Sequence, residues 1–299
     1  MTDYHQPVML HESVDGLNVK PGGVYVDATF GGGGHSGEIL KRLGNGRLLA
    51  FDQDKDVLEN LPDDERILFA QHNFRFLRNF LRYYGIEKID GLLADLGVSS
   101  HHFDTVHRGF SFRFDAPVDM RMNQQSGFSA RELLNTYSEE ELARVFFEYG
   151  ELRNSRQIAR QIVKYREHET IANTRNLIEA VSAKLPRQAE NQFLAKLYQA
   201  IRIEVNHEID YLKELLEQAL EFLNPGGRLV VISYHSLEDR LVKNFIRNGT
   251  FNEETEPDLY GTKNKVFRQV NKKVIVPCNE EIRTNNRARS AKLRIAEKI

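Results

Sequence analysis

Short apolar runs alternate with amphipathic segments over the first hundred residues. The apolar runs are rich in Val, Leu, Ile, Ala and Phe and fall at Val24–Phe30, Arg47–Asp52, Ile67–Ala70 and Gly91–Leu96. Segments with helical periodicity lie between them, at Ser36–Leu43, Asp54–Leu61 and Phe76–Tyr84. Continuous apolar runs separated by helices are typical of parallel strands that are buried on both faces. The pattern therefore predicts an α/β fold with right-handed βαβ crossovers.

The alternation stops near Gly109, and the next stretch has helical periodicity only. Two Ser-x-x-Glu capping boxes predict helix starts at Ser129 and Ser138, because the serine hydroxyl can accept hydrogen bonds from the first amides of a helix. Another helix is predicted to begin at Thr174. A long helical stretch is predicted over about 190–223, where an Asn-Pro-Gly-Gly turn follows.

The strand pattern then returns. Further strands are predicted at Arg228–Ser233, Lys272–Val276 and Lys292–Ala296. We therefore expect a sheet domain built from residues 1–108 and 199–299, interrupted by a helical domain over residues 109–198. This layout is a Rossmann-like α/β core that carries an inserted α-helical domain.

Composition narrows the class of protein. The chain has 299 residues, of which 40% are hydrophobic and 28% charged, as in ordinary soluble globular domains. No apolar run approaches the roughly 18–20 residues of a membrane-spanning helix. The first residues lack the basic start and apolar centre of a secretion signal, so we expect a cytoplasmic protein. A single cysteine, Cys278, excludes an internal disulfide, and no Cys/His cluster has zinc-site spacing.

Charge is distributed unevenly along the chain. The formal net charge is only −2, yet residues 263–298 hold eleven Lys and Arg side chains against three Glu. Such a basic segment on an otherwise acidic body suggests a polyanionic partner. A solvated charged tail would have the same composition.

A glycine-rich loop follows the first predicted strand in the sequence VDATFGGGGHS, residues 26–36. Glycine has no side chain, so the backbone can approach a ligand closely. Gly32, Gly34 and Gly37 fit the G-x-G-x-x-G pattern of dinucleotide-binding loops. The alternative is a tight turn from strand to helix that binds nothing.

Asp52 ends the second predicted strand, about 20 residues after the glycine loop. A carboxylate at this place in an open α/β sheet can accept hydrogen bonds from ribose hydroxyls. The alternative role, capping the next helix, suits Asp54 better. The loop and the acid together indicate a cofactor that contains ribose, and they do not separate NAD from S-adenosylmethionine.

Three further features favour S-adenosylmethionine. Asp27 lies four residues before the first glycine and could face a cationic methionine moiety. Polar and aromatic side chains suited to an adenine ring follow the third strand at 72–74, although Phe74 could equally be a core residue. Asp95 ends the fourth strand at the edge of the sheet where such folds bind ligands.

Seven segments of the chain also occur, in this order, in the bacterial 16S ribosomal RNA small subunit methyltransferase H family. They are VDATFGGGGHS, LLADLGVSS, RGFSF, VDMRM, YQAIRIEVN, ISYHSLEDR and NNRARSAKLRIAE, and they span residues 26–297. The chain thus resembles that family over nearly its whole length. The resemblance implies a class I S-adenosylmethionine-dependent methyltransferase core, with a helical substrate domain inserted after the fourth strand. It also implies methylation of N4 of a cytidine, conventionally numbered 1402, in the decoding centre of 16S rRNA.

The resemblance also implies a set of cofactor contacts. By position they fall on Gly33, Gly34, His35, Asp52, Phe74, Asp95 and His102. The family usually has Pro-Gln where this chain has His101-His102. An imidazole at His102 can still form hydrogen bonds, but it titrates near neutral pH and lacks the paired donor and acceptor of an amide.

Transfer to an amino nitrogen requires a group that accepts a hydrogen bond from it. Candidate acceptors are Asp95, Ser99 and His235, although His235 could instead cap the helix that starts at Ser236. Asp119 and Arg121 are candidate substrate-binding residues, with a structural ion pair as the alternative. The expected partner is 16S rRNA in the small ribosomal subunit, with a homodimer left open and no metal or membrane involved.

Two other functions remain open at this point. An NAD-dependent oxidoreductase would use the glycine loop but needs a hydride-handling His or Tyr-x-x-x-Lys site, which the sequence does not display. A non-catalytic RNA-binding assembly factor would not need the intact set of Asp27, Gly33, Gly34, Asp52 and Asp95.

Overall fold

A computed structural model describes residues 7–99, 103–186, 188–251 and 265–299. The chain forms two compact units. The first, called here the sheet unit, comprises the residues up to Gly97 together with Ile209–Ile299, and the second, the helical unit, comprises Val98–Glu208. The predicted boundaries after residues 108 and 198 therefore differ from these divisions, which fall after residues 97 and 208.

Seven strands of the sheet unit form one sheet in the order β3-β2-β1-β4-β5-β7-β6. They are β1 Val24–Asp27, β2 Arg47–Phe51, β3 Ile67–Ala70, β4 Ile89–Asp95, β5 Leu223–Ser233, β6 Phe267–Gln269 and β7 Lys292–Lys298. The first five pair in parallel, and β7 pairs antiparallel with both β5 and β6. Leu48, Leu49 and Leu92 in the central strands are fully buried, as expected for strands covered on both faces.

The described part of the chain contains eleven α-helices. They are α1 Leu10–Leu17, α2 Gly34–Arg42, α3 Leu77–Tyr83, α4 Ala130–Thr136, α5 Glu139–Glu148, α6 Ser155–Arg166, α7 Thr174–Val181, α8 Glu190–Asn206, α9 Glu208–Phe222, α10 Ser236–Asn248 and α11 Asn279–Thr284. None of them is long and apolar enough to cross a membrane.

The predicted fold class is confirmed. The chain has a Rossmann-like α/β core of the class I methyltransferase type, interrupted between β4 and β5 by a helical segment. The four N-terminal strands lie within a few residues of their predicted positions, and both capping boxes are present at Ser129 and Ser138.

One predicted element is wrong, and another is divided. The predicted helical stretch over 190–223 consists of two helices, because His207 adopts a left-handed backbone conformation (φ 52°) that ends α8 before α9 begins. The predicted strand Lys272–Val276 is absent, since that segment contributes only an isolated bridge from Ile275 to Leu293. The antiparallel neighbour of β7 is instead the short strand β6, residues 267–269.

The helical unit has its own hydrophobic core, which explains its boundaries. Buried side chains of α8, including Leu197 and Ile201, pack in that core together with residues of α4 to α7. Since α8 runs without interruption to Asn206, the whole helix belongs to this unit. At the other end, Val98 and Phe103 pack against the same core.

Candidate functional site

The strand order reverses between β1 and β4, so the loops that leave these two neighbouring strands run in opposite directions. Open α/β sheets bind their ligands in the crevice at such a switch point, outside the carboxyl ends of the strands. Here the two strand ends are tied together by hydrogen bonds. The Ala28 amide donates to the Leu93 carbonyl (2.8 Å), and the Asp95 amide donates to the Thr29 hydroxyl (2.7 Å).

The glycine loop joins β1 to α2 at this edge. Gly31 and Gly33 have positive φ angles of 52° and 75°, which residues other than glycine rarely adopt. A Cβ on Gly34 would lie 2.6 Å from the Pro7 ring, so a side chain is excluded there by contact. A Cβ on Gly31 would meet nothing nearer than 4.0 Å. The loop therefore presents bare backbone to open space beside the first turn of α2.

Asp52 lies just after β2 and faces this loop. Its Oδ2 accepts a hydrogen bond from the Gly31 amide (2.9 Å), and its Oδ1 accepts one from the Asp54 amide (2.9 Å). Asp54 caps the short 3-10 helix Lys55–Asn60 by accepting from the Asp56 amide, which is the division of roles that the sequence favours. Asp52 thus places a carboxylate beside the glycine loop without being the helix cap.

Asp27 ends β1 and is fully buried. Its carboxylate accepts hydrogen bonds from the Ser36 hydroxyl (2.7 Å) and the Thr29 amide (3.1 Å). Burial raises the pKa of Asp27 to about 6, although these two hydrogen bonds oppose the rise. Through these buried hydrogen bonds Asp27 connects the end of β1 to the start of α2 and so holds the glycine loop between them in place. The sequence did not indicate this role.

Asp95 ends β4 and is held by a residue that sequence reasoning missed. The Tyr234 hydroxyl donates to Asp95 Oδ1 at 2.7 Å. Burial raises the pKa of Asp95 to about 6, while the charge of His35 and the bond from Tyr234 act to lower it. Burial also places the pKa of Tyr234 well above its ordinary value, so its hydroxyl stays a donor. Tyr234 directly follows β5, and only the pairing of β5 with β4 brings it to Asp95.

The remaining candidates of the sheet unit are His35, which is buried, and Phe74, which is half-buried. His35 is buried in the first turn of α2, with its Nε2 3.1 Å from the Val8 carbonyl oxygen. Phe74 begins a short 3-10 helix, and its half-buried ring packs against the hydrophobic core. His72, two residues earlier, is exposed and contacts Phe76 and Phe80.

His235 is the N-cap of α10, which confirms the alternative interpretation of that residue. Its Nδ1 accepts from the Glu238 amide at 3.4 Å, and its Nε2 lies 3.1 Å from Glu238 Oε1. Glu238 in turn accepts from the amides of Tyr234 and His235. Both ring nitrogens of His235 therefore face Glu238 in a capping box.

Asp119 and Arg121 form an ion pair within the helical unit. Arg121 Nη2 lies 2.6 Å from Asp119 Oδ2, and Arg121 Nε donates to Oδ1 at 2.8 Å. Burial tends to raise the pKa of Asp119, but the hydrogen bonds from Arg121 bring it below its ordinary value. The backbone beside this pair is held by two side chains: Arg108 donates to the carbonyls of Arg121 and Met122, and Asn206 bonds Met122.

Two of the predicted site residues fall at a gap between the described residues. Ser99 is the last described residue before the gap and belongs to the helical unit. His102 lies outside the described residues.

The basic C-terminal segment is partly neutralised inside the sheet unit. Lys292 and Arg294 of β7 both pair with Asp239, at 3.2 and 2.7 Å. Arg268 pairs with Glu297, and Lys298 donates to two backbone carbonyls near the end of α9. These four of the eleven cations that suggested a polyanionic partner are therefore held by contacts within the sheet unit.

Comparison with known proteins gives a match over residues 2–299 to the MraW methylase family. The "Ribosomal RNA small subunit methyltransferase H" of Flavobacterium johnsoniae is 59% identical over 298 residues, covering 99% of this chain and 98% of that relative. The protein of the same name from Phocaeicola vulgatus is 56% identical over 296 residues, covering 99% and 97%. Among solved structures, an rRNA methylase from Streptococcus thermophilus is similar with a TM-score of 0.45 and 14% identity, covering 99% of this chain and 98% of that one.

Proposed function

The chain belongs to the MraW methylase family, and from that premise we propose that it transfers a methyl group from S-adenosylmethionine to N4 of a cytidine in the decoding centre of 16S rRNA. The observation that carries the proposal is the group of side chains at the switch point. The glycine loop, Asp52 and Asp95 come from three different strands and meet at the carboxyl edge of one sheet. The small-subunit rRNA named for the relatives supports the choice of substrate.

The residues at the switch point fit S-adenosylmethionine chemically. The positive φ angles of Gly31 and Gly33 leave bare backbone beside α2, where the adenosyl and methionine moieties need close approach. Asp52 offers a carboxylate where open α/β folds hold ribose hydroxyls. Asp95, at the end of β4, suits a cation, because S-adenosylmethionine carries a sulfonium charge.

Binding and orientation are the first tasks of these residues. We propose that Gly33, Gly34, His35, Asp52, Phe74, Asp95 and His102 hold S-adenosylmethionine, which supplies an electrophilic methyl group when bound. Asp27 supports this set indirectly, since the hydrogen bond that it accepts from the Ser36 hydroxyl connects the start of α2 to β1. Fixing both reactants at contact distance can supply several kcal/mol of the barrier.

The second task is to manage the amino group of the target base. The cytosine N4 lone pair is delocalised into the ring, so the nitrogen is a poor nucleophile until a hydrogen-bond acceptor increases its electron density. We assign this acceptor role to Asp95, with the Ser99 hydroxyl as an auxiliary. Because the pKa of Asp95 is about 6, it is mostly ionised at neutral pH and can accept a proton. Both ring nitrogens of His235 face Glu238, so we assign that residue to the cap.

The substrate side is assigned to the helical unit. Asp119 and Arg121 are proposed to contact the target nucleotide or an adjacent phosphate, with Arg121 as the cation. Their pairing orients the Arg121 guanidinium, since a bidentate carboxylate fixes its plane. The target base must leave any stack to enter a pocket, at a cost of a few kcal/mol.

Methyl transfer to unmodified small ribosomal subunits tests the proposal directly. Tritium-labelled S-adenosylmethionine and 30S subunits lacking the modification are incubated with the protein, and the RNA nucleosides are then separated and identified by mass spectrometry. We expect label in N4-methylcytidine. The Asp95→Asn variant keeps the size of the side chain but cannot accept a proton, so it should transfer the methyl group at a greatly reduced rate even at saturating S-adenosylmethionine.

Two results would contradict the proposal. Label in another nucleoside would refute the cytidine N4 assignment while keeping methyl transfer. Intact S-adenosylmethionine binding by calorimetry with no label in any nucleoside of the 30S subunit would favour the non-catalytic assembly factor.

A further inference from the structure

Helix α6 of the helical unit has an unusual charge pattern. Its twelve residues, SRQIARQIVKYR, include four cations and no acid. Ile158, Ala159 and Ile162 are buried on one side of the helix. The opposite, exposed side carries Arg156, Arg160 and Lys164, with Arg153 just before the helix.

These four side chains form what we call the α6 ridge: Arg153, Arg156, Arg160 and Lys164. The three within the helix are spaced four residues apart, so each lies about 6 Å from the next along one face. The ridge therefore runs for about 12 Å on the surface of the helix.

Intramolecular contacts do not account for this arrangement. Among the described residues no ion pair is formed by Arg153, Arg156 or Lys164, and Arg160 pairs only with Glu139, at 3.3 Å and with its own side chain 73% exposed. Such exposed pairs contribute little. Arg166, the fourth cation of the helix, is different because it donates to the Leu134 carbonyl and belongs to the packing of the unit.

The arrangement also opposes the stability of the helix. Like charges four residues apart repel, and Arg156 and Arg160, then Arg160 and Lys164, are such pairs. Arg156 is moreover the second residue of α6, where the positive end of the helix dipole disfavours a cation. By contrast, α5 begins with three glutamates, and α10 begins with Glu238 and Asp239 and ends near Arg247, as the dipole favours.

A row of cations that costs stability and has only the exposed Arg160–Glu139 pair among the described residues is explained by an external polyanion. We propose that the α6 ridge binds the phosphate backbone of RNA, through contacts to successive phosphates. The identification of that RNA as ribosomal rests on the function proposed above. Arginine and lysine contacts to phosphate position a nucleic acid without reading its sequence. The ridge would thus hold the substrate, and the choice of nucleotide would be made elsewhere.

The test compares two triple variants of the full-length protein that lose the same charge. The ridge variant is Arg156→Gln, Arg160→Gln and Lys164→Gln. The control variant is Lys20→Gln, Arg47→Gln and Lys243→Gln, which removes three exposed cations of the sheet unit that have no ion pair among the described residues. Binding of a fluorescent oligouridylate of about 20 nucleotides is measured by anisotropy over a series of KCl concentrations.

We expect the salt dependence of RNA binding to become weaker in the ridge variant and to stay unchanged in the control variant. For single strands the slope of log K against log salt changes by about 0.7 per phosphate contact, so three lost contacts should reduce it by about 2. The KM for 30S subunits should rise by roughly tenfold or more with kcat nearly unchanged, because phosphate contacts bind ground and transition states alike. The affinity for S-adenosylmethionine should stay at the wild-type value.

A third variant guards against a purely structural effect. Arg156→Lys with Arg160→Lys keeps the charge and should keep the salt slope, whereas a loss of slope there would contradict phosphate binding. Equal slopes for the ridge and control variants would overturn the proposal. So would unchanged RNA binding together with lost binding to polyglutamate, which would indicate an acidic protein as the partner.

The two proposals can fail separately. If the ridge variant loses its salt slope but the wild-type protein transfers no label to 30S subunits, RNA binding by the ridge is supported and the methyl-transfer proposal fails. If label is transferred and the slopes are equal, the reverse holds.

Discussion

The sheet unit and the helical unit treat charged side chains differently. In the sheet unit the carboxylates of Asp27 and Glu238 are buried, whereas in the helical unit the cations of the α6 ridge are exposed to solvent. The buried acids are each satisfied by hydrogen bonds from neighbouring residues. Within the described part of the chain, the exposed cations have only one such partner, Glu139 beside Arg160. Burial of a charge is costly unless it is paired, so buried acids indicate a precisely built interior site. Exposed like charges indicate a long-range attraction to a partner that is itself charged.

This difference separates two kinds of experiment. Changes at the carboxyl edge of the sheet should alter cofactor affinity, pH dependence and stability, with little effect of salt. Changes on the α6 ridge should act through salt-dependent RNA binding.

Asp52→Ala should weaken S-adenosylmethionine binding by about a hundredfold or more. Hydrogen bonds to a charged group contribute roughly 1.5–3 kcal/mol each, and the proposed ribose contact has two. Calorimetric titration measures the loss, with the exposed Asp63→Ala as the matched control. Wild-type affinity in Asp52→Ala would refute the ribose assignment.

Asp27→Asn should change how stability depends on pH. Burial raises the pKa of Asp27 from 3.8 to about 6, so the folded state binds this proton more tightly than the unfolded state. The contribution of Asp27 is therefore fully present below about pH 4 and is lost as the pH rises through about 6. Between pH 4 and 7 the free energy of unfolding of the variant should gain up to about 3 kcal/mol relative to wild type.

Urea unfolding of both proteins at the two pH values measures this double difference. Asp63→Asn, which changes an exposed acid in the same way, should show almost none of it. A constant difference between Asp27→Asn and wild type would mean that Asp27 does not titrate in this range.

Tyr234→Phe should move the acid limb of the rate profile to higher pH. The Tyr234 hydroxyl donates to Asp95 and so favours the ionised carboxylate. Removing it raises the pKa of Asp95 by about one unit, if the bond contributes about 1.4 kcal/mol. His35, Asp27 and Glu238 also act on Asp95 and are left in place.

The methyl-transfer rate of Tyr234→Phe should thus fall by about fivefold at pH 6 and by nearly tenfold below about pH 5, and it should approach the wild-type rate above pH 8. Tyr83→Phe, at a 79% exposed site, serves as the control. A rate reduced equally at all pH values would instead mean that Tyr234 acts only on packing.

His235→Asn should have the smallest effect. Asparagine is among the best N-cap residues, so the start of α10 should be kept, and we expect kcat to change by no more than about two- to threefold. His235→Ala should cost about 1 kcal/mol of stability through the lost cap. Loss of a general base typically costs a factor of about 100 to 10,000. A fall of that size in His235→Asn would return the residue to the catalytic set.

Sequence patterns predicted the buried strands well and the tertiary contacts poorly. A continuous apolar run such as that in β2 has few alternatives to a buried strand, so its position was recovered closely. The break at His207 was not recoverable, because a left-handed conformation at a residue other than glycine has no clear local pattern. The strand predicted at 272–276 has suitable residues, but only one of its backbone positions finds a pairing partner.

In the candidate site, too, the positions of residues along the strands could be predicted, and their tertiary contacts could not. Asp52 and Asp95 could be placed from sequence, because both end parallel strands and the carboxyl ends of such strands share an edge. Tyr234 and Thr29 could not, since their hydrogen bonds to Asp95 depend on the order of the strands in the sheet. Arg121 was found, but the side chains of Arg108 and Asn206 that hold its surroundings act from distant parts of the chain.

The interruption of the sheet between β4 and β5 has a consequence during synthesis on the ribosome. β4 ends at Asp95, and its partner β5 begins only at Leu223, which is translated about 6 to 25 seconds later at roughly 5–20 residues per second. The helical unit is contiguous in sequence and can fold in that interval, because local helical contacts form quickly. The nascent chain therefore carries an open, apolar strand edge at β4 for many seconds, and this is where a chaperone would be needed most.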